Sequence, residues 1–475
     1  MSRSKDLAKN TFILALGTFL PHLGALVTLP IYTGMLTKTE LGRYDLVVVT
    51  VYIIAVVVTL QIQQAVFRFL IDVRGKQDEN TYITNTVLFE IIPSIVASAI
   101  FGFTFKDTPT LSRVLIALYT FLNIQHLVVG QIARGLGKNK VYSIGAIINT
   151  VLNLVLVIVL MVGRGLGFDG LFISLNLAFL VSTVFQAVVC GIPNKIQFRL
   201  FNKATIKELL GYSWPMVPNT LAIWTVNTFA KWVIRFFLGL EMNAVFAVAG
   251  KIPNIFNLAY MTFNMAWQES ASIAVSDNDK HAYYSKVFNT FLRFITGMVL
   301  LLIAATPILF KILIKGSYAE AYDQIPILFI SVFFSSIASF FGSMYIAHKM
   351  TRSVGVSSAL AALTSCVLNL LLIKPLGLYA ASLSMVVSFL VLAVYRGVDL
   401  NRRNVVQIKY DTLVTVFCFI LILISSVLCF MQSSWANIIN FILAVVSAAI
   451  LNRDFLHAGK EYLLKLRGNG NGFGV

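Results

Sequence analysis

Apolar residues fill the chain in runs of about 20 positions, broken by short polar stretches. A helix of that length covers about 30 Å, the thickness of the hydrocarbon layer of a bilayer. The pattern predicts about fourteen membrane-spanning helices, at 11–35, 41–67, 81–104, 111–133, 141–163, 169–192, 210–238, 242–270, 286–314, 322–347, 353–373, 376–396, 411–431 and 433–451.

Two distant segments are near-copies. Leu166–Phe185 reads LGFDGLFISLNLAFLVSTVF, and Leu376–Tyr395 reads LGLYAASLSMVVSFLVLAVY. They share Leu166/Leu376, Gly167/Gly377, Ser174/Ser384 and Phe179/Phe389, and Val151–Leu154 recurs upstream as Val367–Leu370. The chain therefore reads as two related halves of six spans each. An even number sends both halves into the bilayer in the same direction, so the repeat axis is expected along the membrane normal. The expected division is a first bundle over 1–192, a cytoplasmic linker over 193–209, a second bundle over 210–400, an extra helix pair over 401–455 and a flexible tail over 456–475. The linker has the look of an amphipathic interfacial segment.

Composition supports this class. The chain has 475 residues, 58% of them hydrophobic and 12% charged. Soluble domains carry about 25% charged residues. The net charge of +17 raises the question of nucleic acid. Its distribution answers it. With the N-terminus placed inside, 26 of the 37 basic residues fall in cytoplasmic segments, eight in outer ones and three within spans. That asymmetry predicts a multi-pass protein of the cytoplasmic membrane with both termini inside, and no nucleic-acid partner. Cys190, Cys366, Cys418 and Cys429 lie in apolar runs without metal or disulfide spacing, as inert thiols do. No nucleotide loop, zinc site or catalytic triad is present, so neither a cofactor nor catalysis is expected. Gly163-Arg164-Gly165-Leu166-Gly167 reads as an outer turn.

Charges within spans mark candidate chemistry, because each is costly in hydrocarbon. Lys231 and Arg235 stand one helical turn apart in the seventh span, on a stripe with Asn227, Trp224 and Thr220. Lys251 in the eighth span is expected at a similar depth to Lys231. Together they form a candidate cationic site for a phosphate, with Arg68 at the end of the second span as a further member. The competing reading is that the lysines pair with acids from elsewhere and that Arg235 and Arg68 anchor at the interface. Glu90, within the third span, and Asp45, nearer a membrane edge, are the candidates for coupling to a proton or sodium gradient. His22 and His126 read as helix-packing residues. Pro21 and Pro30 in the first span match Pro215 and Pro218 in the seventh, and Gly17-x-x-x-Pro21 has the spacing of Gly211-x-x-x-Pro215. Interrupted helices at matching places in two halves are a pointer to a hinge or transport site.

Several short motifs, in order, resemble the polysaccharide-type (Wzx) flippases of the multidrug/oligosaccharidyl-lipid/polysaccharide (MOP) exporter superfamily. They are Leu29-Pro30-Ile31-Tyr32-Thr33, Leu41-Gly42-Arg43-Tyr44, Ala65-Val66-Phe67-Arg68, Arg134-Gly135-Leu136-Gly137-Lys138-Asn139, Tyr318-Ala319-Glu320-Ala321-Tyr322, Pro326-Ile327-Leu328 and Asn369 through Gly377. The resemblance covers nearly the whole chain. It implies an all-α fold of two pseudo-symmetric six-helix bundles around a central cavity, with two peripheral C-terminal helices. It implies translocation of a polyprenyl-pyrophosphate-linked oligosaccharide to the outer leaflet for O-antigen- or capsule-type polysaccharide, beside a polymerase and a chain-length regulator. One departure is visible: the family often has an acidic–basic pair in the seventh helix, and here Ala230 precedes Lys231. Other readings are an ion-coupled drug or cation antiporter of the same superfamily, whose site should be acidic, and a peptidoglycan-precursor flippase. A membrane glycan polymerase or ligase should present a large outer loop, which this chain lacks. A scaffold leaves the intramembrane lysines unexplained.

Overall fold

The computed structural model describes residue 21, residues 23–76 and residues 78–453. The expectations for the basic N-terminus, the start of the first span, His22 and the tail from 456 lie outside these residues. The described chain is helical throughout, with no strand among the described residues. Eleven of its helices are long and apolar enough to cross a membrane.

Two compact units emerge, one within Met1–Ala244 plus Leu313–Gly316, the other within Val245–Ile312 plus Ser317–Val475. The first holds α1 (Leu23–Met35), α2 (Lys38–Thr59), α3 (Ile62–Val73), α4 (Asp78–Phe103), α5 (Thr110–Gly135), α6 (Asn139–Val157, extended by a π turn over Ile158–Gly163) and α7 (Gly167–Cys190). It continues through the single turn α8 (Ile192–Lys195), α9 (Lys203–Ser213), α10 (Met216–Phe237) and the start of α11 (Leu240–Ala249). The second holds α12 (Pro253–Ile273), α13 (Lys280–Leu313), α14 (Ala319–Ala347), α15 (Thr351–Leu376), α16 (Leu378–Arg402), α17 (Thr412–Phe430) and α18 (Ser434–Leu451).

The sequence repeat reappears as a repeat of packing. In the first unit α7 packs on α5 and α6; in the second α16 packs on α14 and α15. Gly167 and Gly377, aligned in the repeat, both have positive φ, 49° and 54°, where α7 and α16 begin. A side chain there would be strained, so each glycine permits the sharp entry into its helix. Ser174 and Ser384 are both fully buried. The extra pair is joined in the apolar phase by Ser425 Oγ donating to Asn440 Oδ1 at 2.6 Å and Asn440 Nδ2 donating to the Ser425 carbonyl at 3.2 Å.

Two expected spans are corrected. The second was expected unbroken over 41–67; α2 instead ends at Leu60 and Gln61, which both take left-handed φ, 48° and 62°. Neither is glycine, so no turn residue signals the break, and each costs about 1 kcal/mol. Thr59 Oγ1 accepts the freed Gln61 N–H at 3.2 Å. The eighth was expected unbroken over 242–270; α11 and α12 are separated by Gly250, Lys251 and Ile252. Pro253 has no N–H for the carbonyl four residues back and opens α12 at its first turn. Of these segments α3, α11 and α12, like α1 and α10, lie outside the eleven long apolar helices, whereas α2 is one of them.

The segment between α7 and α10 is strapped to α4. Thr84 donates to the Lys195 carbonyl at 3.2 Å and accepts from Gln197 N at 3.0 Å. Asn85 donates to the Leu200 carbonyl and accepts from Asn202 N, both at 2.8 Å. Lys195 also pairs with Glu79. The second unit is organised on α14 by aromatic stacking, with Trp267 on Phe340 at 4.3 Å and Phe291 on Phe340 at 4.9 Å.

Candidate functional site

The start of α2 is set by a capping box: Thr37 Oγ1 accepts from Glu40 N at 3.2 Å, and Glu40 Oε2 accepts from Thr37 N at 2.9 Å. Two turns on, Asp45 points to α10. Lys231 Nζ lies 2.8 Å from Asp45 Oδ1, with the carboxylate 9% and the lysine side chain 18% accessible. Asn243 Nδ2 reaches Asp45 Oδ2 at 3.4 Å and the Gly42 carbonyl at 3.0 Å. Gly42 allows this approach, because a Cβ there would overlap the Leu240 carbonyl oxygen. One turn further along α2, the Val49 carbonyl accepts from Trp224 Nε1 at 3.0 Å. Asp45, Lys231, Asn243 and Trp224 therefore form one charged and hydrogen-bonded seam between α2 and α10, closed by the start of α11. The acid missing beside Lys231 in sequence is supplied from a different helix.

Within the first unit, Asn227, Arg235 and Arg68 of the expected cationic site take up different environments. Asn227 is exposed and donates to the Ile223 carbonyl of its own helix at 2.9 Å. Arg235 turns away from Lys231 and, with Arg43 and Trp232, lines a cavity of about 620 Å3 walled by α2, α4 and α10. Arg68 is exposed and pairs with Asp72 one turn along α3 at 2.6 Å. Lys251, in the second unit, occupies the turn before Pro253, where its N–H bonds to the Val248 carbonyl at 3.1 Å. It is half-buried. Pro215 caps the start of α10 and Pro218 lies in its first turn, where backbone N–H groups lack helical acceptors. The break at Trp214–Pro215 separates α10 from α9. Pro30 sits within α1 and Pro21 just ahead of it.

Glu90 is completely buried in α4. Its Oε2 accepts from Ser94 Oγ at 2.7 Å and Gln125 Nε2 at 3.1 Å, and its Oε1 meets no donor among the described residues. A carboxyl so enclosed by neutral groups is suited to holding a proton. His126, on the next helix, packs against Phe179 and shares a hydrogen bond with Thr183 at 3.2 Å.

Two further cations, outside the candidate set drawn from the sequence, have structural roles. Arg43 falls on the stripe Arg43, Leu46, Thr50, Ile54, whose three- and four-residue spacing signals one helix face. Arg396 is 7% exposed, in phase with buried Phe389, Leu392 and Ala393. Its guanidinium donates to Ser357 Oγ at 3.0 Å, the Ala338 carbonyl at 2.9 Å and Ser358 Oγ at 3.2 Å, locking α14, α15 and α16 together.

Residues 7–275, more than half of the chain, match the family described as polysaccharide biosynthesis protein. The chain belongs to that family. Among solved structures it is similar to the lipid II flippase MurJ in an inward-closed conformation, with a TM-score of 0.70 at 12% identity over 94% of this chain and 100% of that one. A MATE family multidrug resistance transporter of the MOP superfamily, inward-facing, matches with a TM-score of 0.63 at 15% identity over 82% of this chain and 94% of the other. A MOP superfamily transporter from Pyrococcus furiosus, whose binding pocket is described as reversed in polarity, matches with a TM-score of 0.60 at 16% identity, over 84% and 95%. No curated protein matches the sequence. The fold is thus that of the MOP transporters, and the chain is a multi-pass membrane protein of polysaccharide biosynthesis.

Proposed function

We propose that the chain is a flippase that carries a polyprenyl-(pyro)phosphate-linked oligosaccharide from the cytoplasmic to the outer leaflet by alternating access, in the cytoplasmic membrane with both termini inside. The observation that carries the reading is the excess of basic charge within the helices of a member of a polysaccharide family: Lys231, Arg235 and Lys251, with Arg43 and Arg396, outnumber the acids Asp45 and Glu90, whereas a site for a cation calls for acids. The resemblance in fold to a lipid II flippase over nearly the whole chain supports it.

In this reading an incoming phosphate competes with Asp45 for Lys231. When the ammonium changes partner, the link between α2 and α10 loosens, and α10 is free to move about the break at Trp214–Pro215. Asp45, released, takes up a proton or a sodium ion, and Glu90 is the second group that can carry a proton. Lys251, on the turn opened by Pro253, is a further candidate for phosphate in its own unit, and Pro21 and Pro30 provide the matching flexibility in α1. A surface-polysaccharide polymerase and a chain-length regulator are the partners this activity calls for.

The test is surface display of glycan in cells that depend on this chain, at matched protein levels, for Lys231→Ala and Lys251→Ala. Display should fall at least tenfold in each. Normal display in both overturns the reading. The fold resemblance to MATE transporters favours a cation antiporter as the second reading, and resistance to cationic drugs that depends on Asp45 and Glu90, with glycan display unchanged, would establish it.

A further inference from the structure

The cavity between α2, α4 and α10 is separate from the Asp45–Lys231 seam, since neither of those residues lines it. At about 620 Å3 it falls within the range of about 300–1,000 Å3 usual for ligand sites. Its walls are Leu46, Ile54, Ile100, Phe101, Phe105 and Trp232, with Ile100 and Trp232 both on the exposed surface of the unit. The threonine hydroxyls among its lining residues are committed to the backbone: Thr50 donates to the Leu46 carbonyl, Thr104 to that of Phe101 and Thr108 to that of Phe105. That leaves the two guanidiniums as the charged donors facing a ligand, beside the indole N–H of Trp232.

Arg43 and Arg235 are close enough to repel one another, and neither forms a salt bridge among the described residues. Asp107, exposed at the rim, is the one acid of the lining and attracts Arg43. Two repelling cations facing an apolar chamber are relieved by an anion, and a guanidinium pair suits phosphate oxygens better than any other common group. Such walls are mostly apolar and offer hydrocarbon a continuous surface. The ligand is therefore a phosphate carried on an apolar stem.

We propose that this cavity binds the headgroup phosphate of an anionic membrane phospholipid, with Arg43 and Arg235 on the phosphate and the acyl chains along Ile100 and Trp232. The site ties α2 to α10 through a lipid, beside the direct tie of Asp45 to Lys231. It does not depend on the transport reading.

The experiment is native mass spectrometry of the full chain in neutral detergent, titrated with phosphatidylglycerol or with phosphatidylcholine of the same acyl chains. Phosphatidylglycerol should be retained preferentially. Arg43→Gln and Arg235→Gln should each weaken its retention about tenfold, the loss of roughly one charge-assisted contact. Asp107→Asn removes the one acid of the lining, leaving Glu40 as the other acid that attracts Arg43 and both arginines in place, and should strengthen retention. Thermal unfolding of lipid-free protein identifies any variant that has failed to fold, and Asp107→Asn then carries the test alone. Equal retention of the two lipids overturns the proposal. So does wild-type phosphatidylglycerol retention in a folded Arg43→Gln/Arg235→Gln variant. Displacement of phosphatidylglycerol by millimolar inorganic phosphate would assign the cavity to a free anion and also overturn it.

Discussion

Lys231 on α10 and Asp45 on α2, 186 residues apart in sequence, meet at 2.8 Å in a largely buried seam. A pair so placed contributes less to stability than its geometry suggests, because both ions lose hydration, yet removing one partner strands the other. Asp45→Asn or Lys231→Met alone should lower stability by about 3–5 kcal/mol, and the double variant should recover most of that loss. Thermal unfolding in detergent reads all three. Additive losses would show that the two groups do not act as a pair.

Gly42 lies where α2 meets the start of α11 and a Cβ would strike the Leu240 carbonyl oxygen. Backbone cannot yield as a flexible side chain does. Gly42→Ala should destabilise by about 3 kcal/mol, the upper end of ordinary overpacking, and lower the unfolding temperature of the purified protein. Gly211→Ala, where nothing lies near the added carbon, should be close to neutral.

Glu90 is buried among neutral donors, so its amide mimics the protonated form and keeps the bond from Ser94. Glu90→Gln should unfold at the wild-type temperature within a degree or two. If Glu90 carries the coupled proton, substrate transport in vesicles should no longer respond to an imposed proton gradient. A response equal to wild type would remove Glu90 from the coupling step.

Arg396 holds three helices through neutral acceptors, and Gly342 leaves room for it: a Cβ there would sit 2.6 Å from the guanidinium. Arg396→Ala should cost about 2–4 kcal/mol, from three lost hydrogen bonds and the space left behind. Gly342→Ala should be harmful alone and nearly harmless in the Arg396→Ala background. That non-additivity, measured by unfolding temperature, checks the contact.

Pro253 interrupts what would otherwise run from α11 into α12, placing Lys251 in a turn. Pro253→Ala restores the missing N–H. Stability should hold or rise, while glycan display falls if Lys251 acts from the turn. Unchanged display would mean that the turn is a passive kink.

Most of the helical layout was legible in the chain because hydrocarbon admits little else: α4 to α7 and α13 to α18 follow the expected spans, with the largest differences six residues at the start of α13 and at the end of α16. The difficult segments were those with few apolar residues or with breaks. Pro253 was a readable signal for the break at Lys251, whereas Leu60 and Gln61 take left-handed backbone with neither glycine nor proline to announce it. The polar stripe of α10 was readable as a stripe, but not its division among an ion pair at Lys231, a cavity at Arg235 and an internal bond at Asn227. Arg396, at the last position of its expected span, is turned inward by the phase of α16.

The amino-acid order by itself determined that this is a membrane protein of about fourteen helical spans in two related halves. Length and apolarity are sufficient there, since a buried backbone in hydrocarbon must satisfy its own hydrogen bonds. Which charges meet was decided only by tertiary structure. Helix rotation and the packing of spans far apart in sequence bring Asp45 to Lys231 and Arg43 to Arg235, and neither is encoded in local spacing.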